Sequence, residues 1–137
     1  MSRKIIVASH GGLAKGIVDS SSMIIGIPSY PIEVYTLCPG EVADDFAKEI
    51  EKEIQANLDV QYIVLTDLFG ASVFNAMYSL LKFENVKLCT GINLNLLLQI
   101  CMESKDWLTD QDMSRIVLES KEGIQFIENT VIEQEDF

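Results

Sequence analysis

Histidine occurs only once in this sequence, at His10, and this residue type can shuttle protons, bind metals or act as a nucleophile. His10 directly follows an apolar segment, and Asp67 follows a second apolar segment in the same way. If both segments are neighbouring strands of a parallel sheet, the imidazole and the carboxylate meet at the edge where such sheets bind ligands. A carboxylate that accepts a hydrogen bond from one ring nitrogen leaves the lone pair of the other nitrogen free to attack.

Small residues and a hydroxyl beside this pair indicate that the ligand is an anion. The loops after His10 and Asp67 both open predicted helices, and the free N–H groups at a helix start bind phosphate well. The residues predicted to surround the phosphate are Gly11, Gly70, Ala71 and Ser72. Ser72 is also a natural cap for the helix that follows it. The glycines match neither a P-loop nor a dinucleotide-binding fingerprint, which disfavours a nucleotide.

The elements that must position these residues alternate along the chain. Apolar periodicity predicts strands at 3–9, 32–38, 60–66 and 86–90, and helices at 13–25, 41–56, 71–82, 94–102 and 112–122. The segment 124–132 fits either a last strand or a frayed helix. Strands that alternate with helices predict a single α/β domain over residues 1–137, with a parallel sheet and helices on both faces. The common strand order 2-1-3-4 would bring His10 and Asp67 together.

Composition narrows the function further. Ten basic and 21 acidic side chains give a net charge of −11, and Lys and Arg are not clustered, which argues against a nucleic-acid partner. The cysteines, Cys38, Cys89 and Cys101, form no paired motif and read as reduced thiols. With one histidine, no metal site is predicted, and we expect no cofactor. No apolar run is long enough for a membrane helix, so we expect a cytoplasmic chain without membrane insertion.

Four blocks of this sequence together resemble the mannose-family enzyme IIA (EIIA) domain of the bacterial phosphoenolpyruvate-dependent sugar phosphotransferase system. They are IIVASHGGLAKG at 5–16, CPGE at 38–41, VLTDLFGASVFN at 64–75 and TGINLNLLL at 90–98. The resemblance implies a flavodoxin-like sheet of order 2-1-3-4 with a fifth, C-terminal strand swapped in a homodimer. It also implies that His10 accepts a phosphoryl group from the phosphocarrier HPr and passes it to a separate IIB protein, while Asp67 orients the ring and Ser72 lies near the phosphate.

The resemblance further implies peripheral association with a membrane sugar permease through the IIB protein. An apolar rim for these partners is predicted at Met23, Leu68 and Phe69. Together with the alternating Ile124 and Phe126, the resemblance predicts that residues 123–131 supply the swapped edge strand.

Three alternative functions stay open at this stage. Where the family often has WGGSP, this chain has FGASV at 69–73, so Ala71 places a Cβ beside the anion loop. A regulatory module that kept the fold but lost transfer is therefore one alternative. The second is the phosphotransferase subunit of dihydroxyacetone kinase, which also uses a histidine after its first strand. A flavodoxin-like nucleotide or flavin binder is the third.

Overall fold

A single parallel sheet of four strands forms the centre of the protein. The computed structural model describes residues 2–129. The strands are β1 (Arg3–His10), β2 (Ile32–Leu37), β3 (Gln61–Thr66) and β4 (Val86–Thr90). They lie in the order β2-β1-β3-β4 and every neighbouring pair is parallel, which confirms the predicted flavodoxin-like sheet. The chain leaves β1 towards one edge and β3 towards the other, so the switch point lies between these two strands.

Five α-helices connect and cover the strands within the described residues. They are α1 (Leu13–Ile25), α2 (Ala43–Ala56), α3 (Ser72–Tyr78), α4 (Leu94–Met102) and α5 (Asp110–Lys121). These bounds agree closely with those predicted from periodicity, except that residues Ser79–Lys82 tighten into a 3₁₀ turn. Helix α1 ends at Ile25, and Gly26 follows it with a φ of 74° and a ψ of −152°, a conformation that glycine adopts without strain.

Both faces of the sheet are buried, because alternate strand residues point to opposite sides. On one side, strand residues such as Ile5 and Ile63 join a core with α1, α4 and α5. On the other side, Ile6 and Val64 join a core with α2 and α3. Burial on both faces explains why the strands read as continuous apolar runs rather than as alternating patterns.

Arg3 is the largest polar side chain in the interior, with an exposed fraction of 1%. Its guanidinium donates hydrogen bonds to the carbonyl groups of Ile100, Glu103 and Lys105, just where α4 ends. The same group lies 4.3 Å from the centre of the Tyr30 ring. A buried charge thus satisfies carbonyls that the end of the helix leaves unpaired and ties β1 to the far end of α4.

Replacing Arg3 with alanine is expected to lower the free energy of unfolding by about 2–4 kcal/mol, because buried carbonyl oxygens lose a charged donor. Urea unfolding monitored by circular dichroism measures this loss. Arg115→Ala is the control, since that side chain forms its salt bridges at the surface and should have little effect. A loss for Arg3→Ala as small as that of the control would contradict the assigned role.

Within the described residues, the C-terminal segment after α5 forms no regular secondary structure. Residues 124–129 are neither strand nor helix in this single chain, and 130–132 lie outside the described residues. The fifth strand and its exchange between subunits therefore stay predictions. Within residues 2–129, no helix combines the length and apolar character that crossing a bilayer requires.

All three cysteines are free thiols, as the sequence predicted. Cys38 is exposed, whereas Cys89 and Cys101 are buried, and burial raises the pKa of both buried thiols to about 11. These two thiols remain protonated at neutral pH, so they act as small apolar residues of the core.

Candidate functional site

The predicted encounter between His10 and Asp67 takes place at the carboxyl edge of the sheet. His10 is the last residue of β1, and Asp67 is the first residue after the neighbouring β3. The strand pairing itself brings the two residues together, because Ala8 pairs with Thr66. The His10 side chain is 44% exposed and that of Asp67 is 10% exposed, so the imidazole reaches solvent while the carboxylate lies behind it.

The Asp67 carboxylate holds His10 by two hydrogen bonds to the same oxygen. Its Oδ2 accepts from the backbone N–H of His10 at 2.7 Å and lies 2.9 Å from the ring Nδ1. Its Oδ1 accepts from the backbone N–H of Leu68 at 2.9 Å. Burial alone would raise the pKa of Asp67, but these hydrogen bonds outweigh it and hold the pKa below the ordinary value of 3.8. Asp67 is therefore a carboxylate at neutral pH, and as an acceptor it places the proton on Nδ1.

The other ring nitrogen of His10, Nε2, faces the Ser72 hydroxyl at a distance of 3.1 Å. We expected Ser72 to cap α3, and that expectation was wrong. Ala71 occupies the N-cap position, and Ser72 is already the first helical residue. Because the Ser72 hydroxyl makes no capping bond, it is available to interact with the imidazole. It can donate to the lone pair of Nε2 or to a group bound there.

The loop after His10 is organised by Ser9, a residue that sequence reasoning missed. The fully buried Ser9 hydroxyl donates to the carbonyl of Gly11 at 3.1 Å and accepts from the N–H of Ala14 at 2.7 Å. Gly11 adopts a φ of 54° and donates its N–H to the carbonyl of Leu37 on β2. The signal available was a serine directly before the loop, where Ser side chains often bond to nearby backbone.

The loop after Asp67 turns at Gly70 rather than at Ala71. Gly70 has a φ of 79°, and the N–H of Ala71 donates to the carbonyl of Leu68 at 3.2 Å. A positive φ at the third position of a hydrogen-bonded turn is the requirement that glycine meets. Ala71 has φ −84° and ψ 176°, an extended conformation open to any residue. The alanine that replaces a family glycine therefore causes no backbone strain here.

The three residues predicted to form the partner rim do not lie together. Leu68 and Phe69 directly follow Asp67 in its loop, with exposed fractions of 63% and 75%. Met23 is 85% exposed but lies in the last turn of α1, whose first turn begins next to His10. At about 1.5 Å of rise per residue, the helix carries Met23 about 15 Å away from Leu13. The structure therefore does not bring Met23 to the rim of the site.

A groove of about 560 Å³ opens between α2 and α3 next to Ser72. Its walls include Leu37, Val42, Glu41, Asp44 and Asn75. The two carboxylates give this side of the site a negative character. Within residues 2–129, no His, Cys, Asp and Glu side chains gather in a group that could hold a metal ion.

The arrangement is suited to nucleophilic chemistry at Nε2. The Asp67 carboxylate, which is largely shielded from solvent, holds a proton on the inner nitrogen of the exposed imidazole, and the Ser72 hydroxyl lies beside the outer nitrogen. Such a nitrogen can attack an electrophile, and the carboxylate stabilises the positive charge that the ring then gains.

Comparisons with known proteins agree with this geometry. The EIIA-man family model, described as "PTS system fructose IIA component", matches residues 4–117. The sorbose-specific EIIA component of the PTS system of Klebsiella pneumoniae is 28% identical over 109 residues, which cover 79% of this chain and 78% of that protein. The PTS IIA protein associated with the fucose utilization operon of Streptococcus pneumoniae has 28% identity and a TM-score of 0.76, covering 92% of this chain and 93% of that one.

A further solved structure supports the fold alone. The mannose/sorbose-specific IIA subunit of the phosphotransferase system from Enterococcus faecalis has a TM-score of 0.81 at 18% identity, with 97% of this chain and 100% of that chain covered. The family match spans most of the 137 residues and includes both His10 and Asp67. The protein is therefore a member of the EIIA-man family, the mannose-type IIA components of the sugar phosphotransferase system.

Proposed function

We propose that this chain is a phosphoryl carrier that takes a phosphoryl group from phospho-HPr onto Nε2 of His10 and passes it to a separate IIB protein. Family members are phosphotransferase components, which fits a carrier. The observation that carries the proposal is the pair of contacts on the imidazole. Asp67 Oδ2 lies 2.9 Å from Nδ1, and the Ser72 hydroxyl lies 3.1 Å from Nε2, which leaves Nε2 as the reactive atom.

The transfer needs only groups that are present on the two proteins. The lone pair of His10 Nε2 attacks phosphorus in line, a new N–P bond forms, and the N–P bond in phospho-HPr breaks with its electron pair returning to the HPr imidazole. The Nδ1 proton stays on His10, hydrogen-bonded to Asp67, which offsets the growing positive charge of the ring. Ser72 turns its hydroxyl from the nitrogen to a phosphoryl oxygen, and N–H groups at the start of α1, which have no intrahelical partner, add further donors. Transfer to the IIB protein runs the same step with a nucleophile of that protein.

The surroundings of His10 favour a protein as phosphoryl donor over a small free anion. Exposed Leu68 and Phe69 offer an apolar contact beside the imidazole, and the Phe69 ring packs 5.1 Å from that of Phe74. Exposed aromatic side chains at a functional site are common anchors for protein partners. The carboxylates of Glu41 and Asp44 in the adjacent groove repel a free anion, whereas a basic face on the partner would complement them.

A reconstituted phosphorylation assay tests the proposal. Incubation with labelled phosphoenolpyruvate, enzyme I and HPr is expected to add one acid-labile phosphate to each chain, and a IIB protein should then discharge it. Enzyme I without HPr is the control and should leave the chain unlabelled. A chain that stays unlabelled while still binding HPr would instead support the regulatory alternative. Ala71 causes no backbone strain, so that alternative depends on its Cβ alone, and the labelling result decides whether the Cβ obstructs transfer.

We also propose that the active protein is a homodimer in which residues 123–131 add an edge strand to the partner subunit. Strands β2 and β4 are the two open edges of the described sheet, and the edge at β4 is the candidate for the added strand. A groove of about 570 Å³ follows that edge and has Phe83, Leu88 and Met113 among its lining residues. The segment that would supply the strand is unusually apolar for an exposed region, as its exposed residues Ile124, Phe126 and Ile127 show. An open edge next to an exposed apolar segment favours strand addition between chains.

Truncation after Glu122 is expected to convert the dimer to a monomer, because the proposed added strand and its apolar side chains are lost. Sedimentation velocity of the full chain and the truncated chain measures the change directly. A truncated chain that still sediments as a stable dimer would contradict the strand exchange. Phosphorylation of His10 in the truncated chain would show separately that the site needs no second subunit.

A further inference from the structure

Asn75 makes a hydrogen bond that the chemistry described so far does not use. It lies on the exposed side of α3, yet its side-chain Nδ2 donates to the carbonyl of Gly70 at 3.1 Å. Gly70 is the left-handed residue at which the Asp67 loop turns into the helix. The hydrogen bond from Asn75 therefore links the first turn of α3 to the end of the Asp67 loop.

The position of the Ser72 hydroxyl depends on this fastened turn. Ser72 makes no capping bond of its own, so the backbone geometry determines which positions its hydroxyl can reach. Ser72 lies between Gly70 and Asn75, and the hydrogen bond between these two residues restrains the backbone that carries Ser72. The Ser72 hydroxyl lies 3.1 Å from Nε2 of His10. A small rotation at Gly70 would move the hydroxyl away from the nitrogen.

Helix stability gives no reason for an asparagine at this place. In an exposed helical position, asparagine is a poorer helix former than alanine. Its amide is used instead to hold the Gly70 carbonyl. The contribution of Asn75 is thus to the geometry of the loop rather than to the helix in which it lies.

We infer that Asn75 is a positioning residue for phosphoryl transfer, which acts by fixing the Gly70 turn so that the Ser72 hydroxyl meets Nε2 of His10. The inference rests on the proposed carrier function of His10. Asn75 itself takes no part in bond making. Its effect on the transfer rate is expected to run mainly through Ser72, and this route makes the inference testable.

A double-mutant cycle tests that route. Asn75→Ala is expected to slow phosphoryl transfer from phospho-HPr about tenfold at saturating HPr, with little change in the HPr concentration for half-maximal rate. In a Ser72→Ala background, the same substitution should slow transfer by less than about twofold, because the group it positions is absent. The urea midpoint of Asn75→Ala should equal or exceed that of the parent.

The matched control is Asn95→Ala, which removes an exposed helical asparagine whose side chain has no hydrogen bond to any described residue.

The outcomes separate this inference from the proposed function. If the parent chain is not labelled at all, the carrier proposal fails, and the ¹⁵N resonance of His10 Nε2 then tests Asn75 without HPr. Asn75→Ala should move that resonance to its position in Ser72→Ala, since both variants lose the contact. Transfer at the parent rate, equal slowing with and without Ser72, or an unmoved Nε2 resonance would each overturn the role of Asn75.

Discussion

Replacing His10 with glutamine is expected to abolish labelling from phospho-HPr, with a loss of at least about 1000-fold in the transfer rate. Glutamine keeps a polar side chain of similar length but has no nitrogen lone pair that can attack phosphorus. The fold should survive, because the His10 side chain is 44% exposed and lies at the end of its strand. Autoradiography of acid-labile phosphate measures the loss, and circular dichroism verifies the fold.

The exposed thiol of Cys38, just after β2, provides the control for His10. Cys38→Ser should retain full labelling, since no step of the proposed transfer uses this thiol. A His10→Gln chain that still gains an acid-labile phosphate would show that the nucleophile is elsewhere. That result would remove the basis of the proposed carrier function.

Replacing Asp67 with asparagine is expected to slow transfer about 100-fold or more while leaving HPr binding in place. Asparagine preserves the shape of the side chain but removes the negative charge that stabilises the phosphorylated ring. Its amide can also turn an N–H towards His10, which favours the wrong tautomer, an effect known to be large where an aspartate orients a catalytic histidine. Rapid-quench kinetics with phospho-HPr measures the rate. Asp106→Asn, an exposed aspartate before α5, is the matched control and should stay within about twofold of the parent.

Unfolding experiments at several pH values give a second readout for Asp67. Because hydrogen bonds lower its folded-state pKa below 3.8, the carboxylate stabilises the folded chain at pH values above 3.8. That stabilisation is lost as the pH falls through the lowered folded-state value. The stability difference between the parent and Asp67→Asn should therefore be larger near neutral pH than in acid. A difference that grows in acid would mean that Asp67 is not held as a carboxylate by these contacts.

Much of the fold and the central pair could be predicted from the sequence because strand and helix periods are local patterns. His10 and Asp67 each follow an apolar strand, and the assumed order of parallel strands was enough to bring them together. The position of Met23 was also open to sequence reasoning, since the length of α1 already carries that residue away from His10. Naming it with Leu68 and Phe69 ignored the rise along that helix.

The finer parts of the site depend on loop geometry that no local pattern specifies. Ser72 has the composition of a helix cap, but the turn at Gly70 starts the helix one residue earlier than a cap at Ser72 would require. Its hydroxyl therefore contacts His10 instead. The bonds of Ser9 and Asn75 to the two glycine turns span only a few residues, but they depend on the conformation that each turn adopts. A residue type that is common at caps and turns cannot by itself reveal which backbone group it will bind.

Identifying the phosphorylated nitrogen of His10 is the most direct test of the account. Two-dimensional ¹H–¹⁵N NMR of the chain after phosphorylation by phosphoenolpyruvate, enzyme I and HPr distinguishes the two ring nitrogens. We predict phosphate on Nε2, with Nδ1 still protonated and bound to Asp67. Phosphate on Nδ1 would contradict the account, because that nitrogen could then no longer donate to the carboxylate.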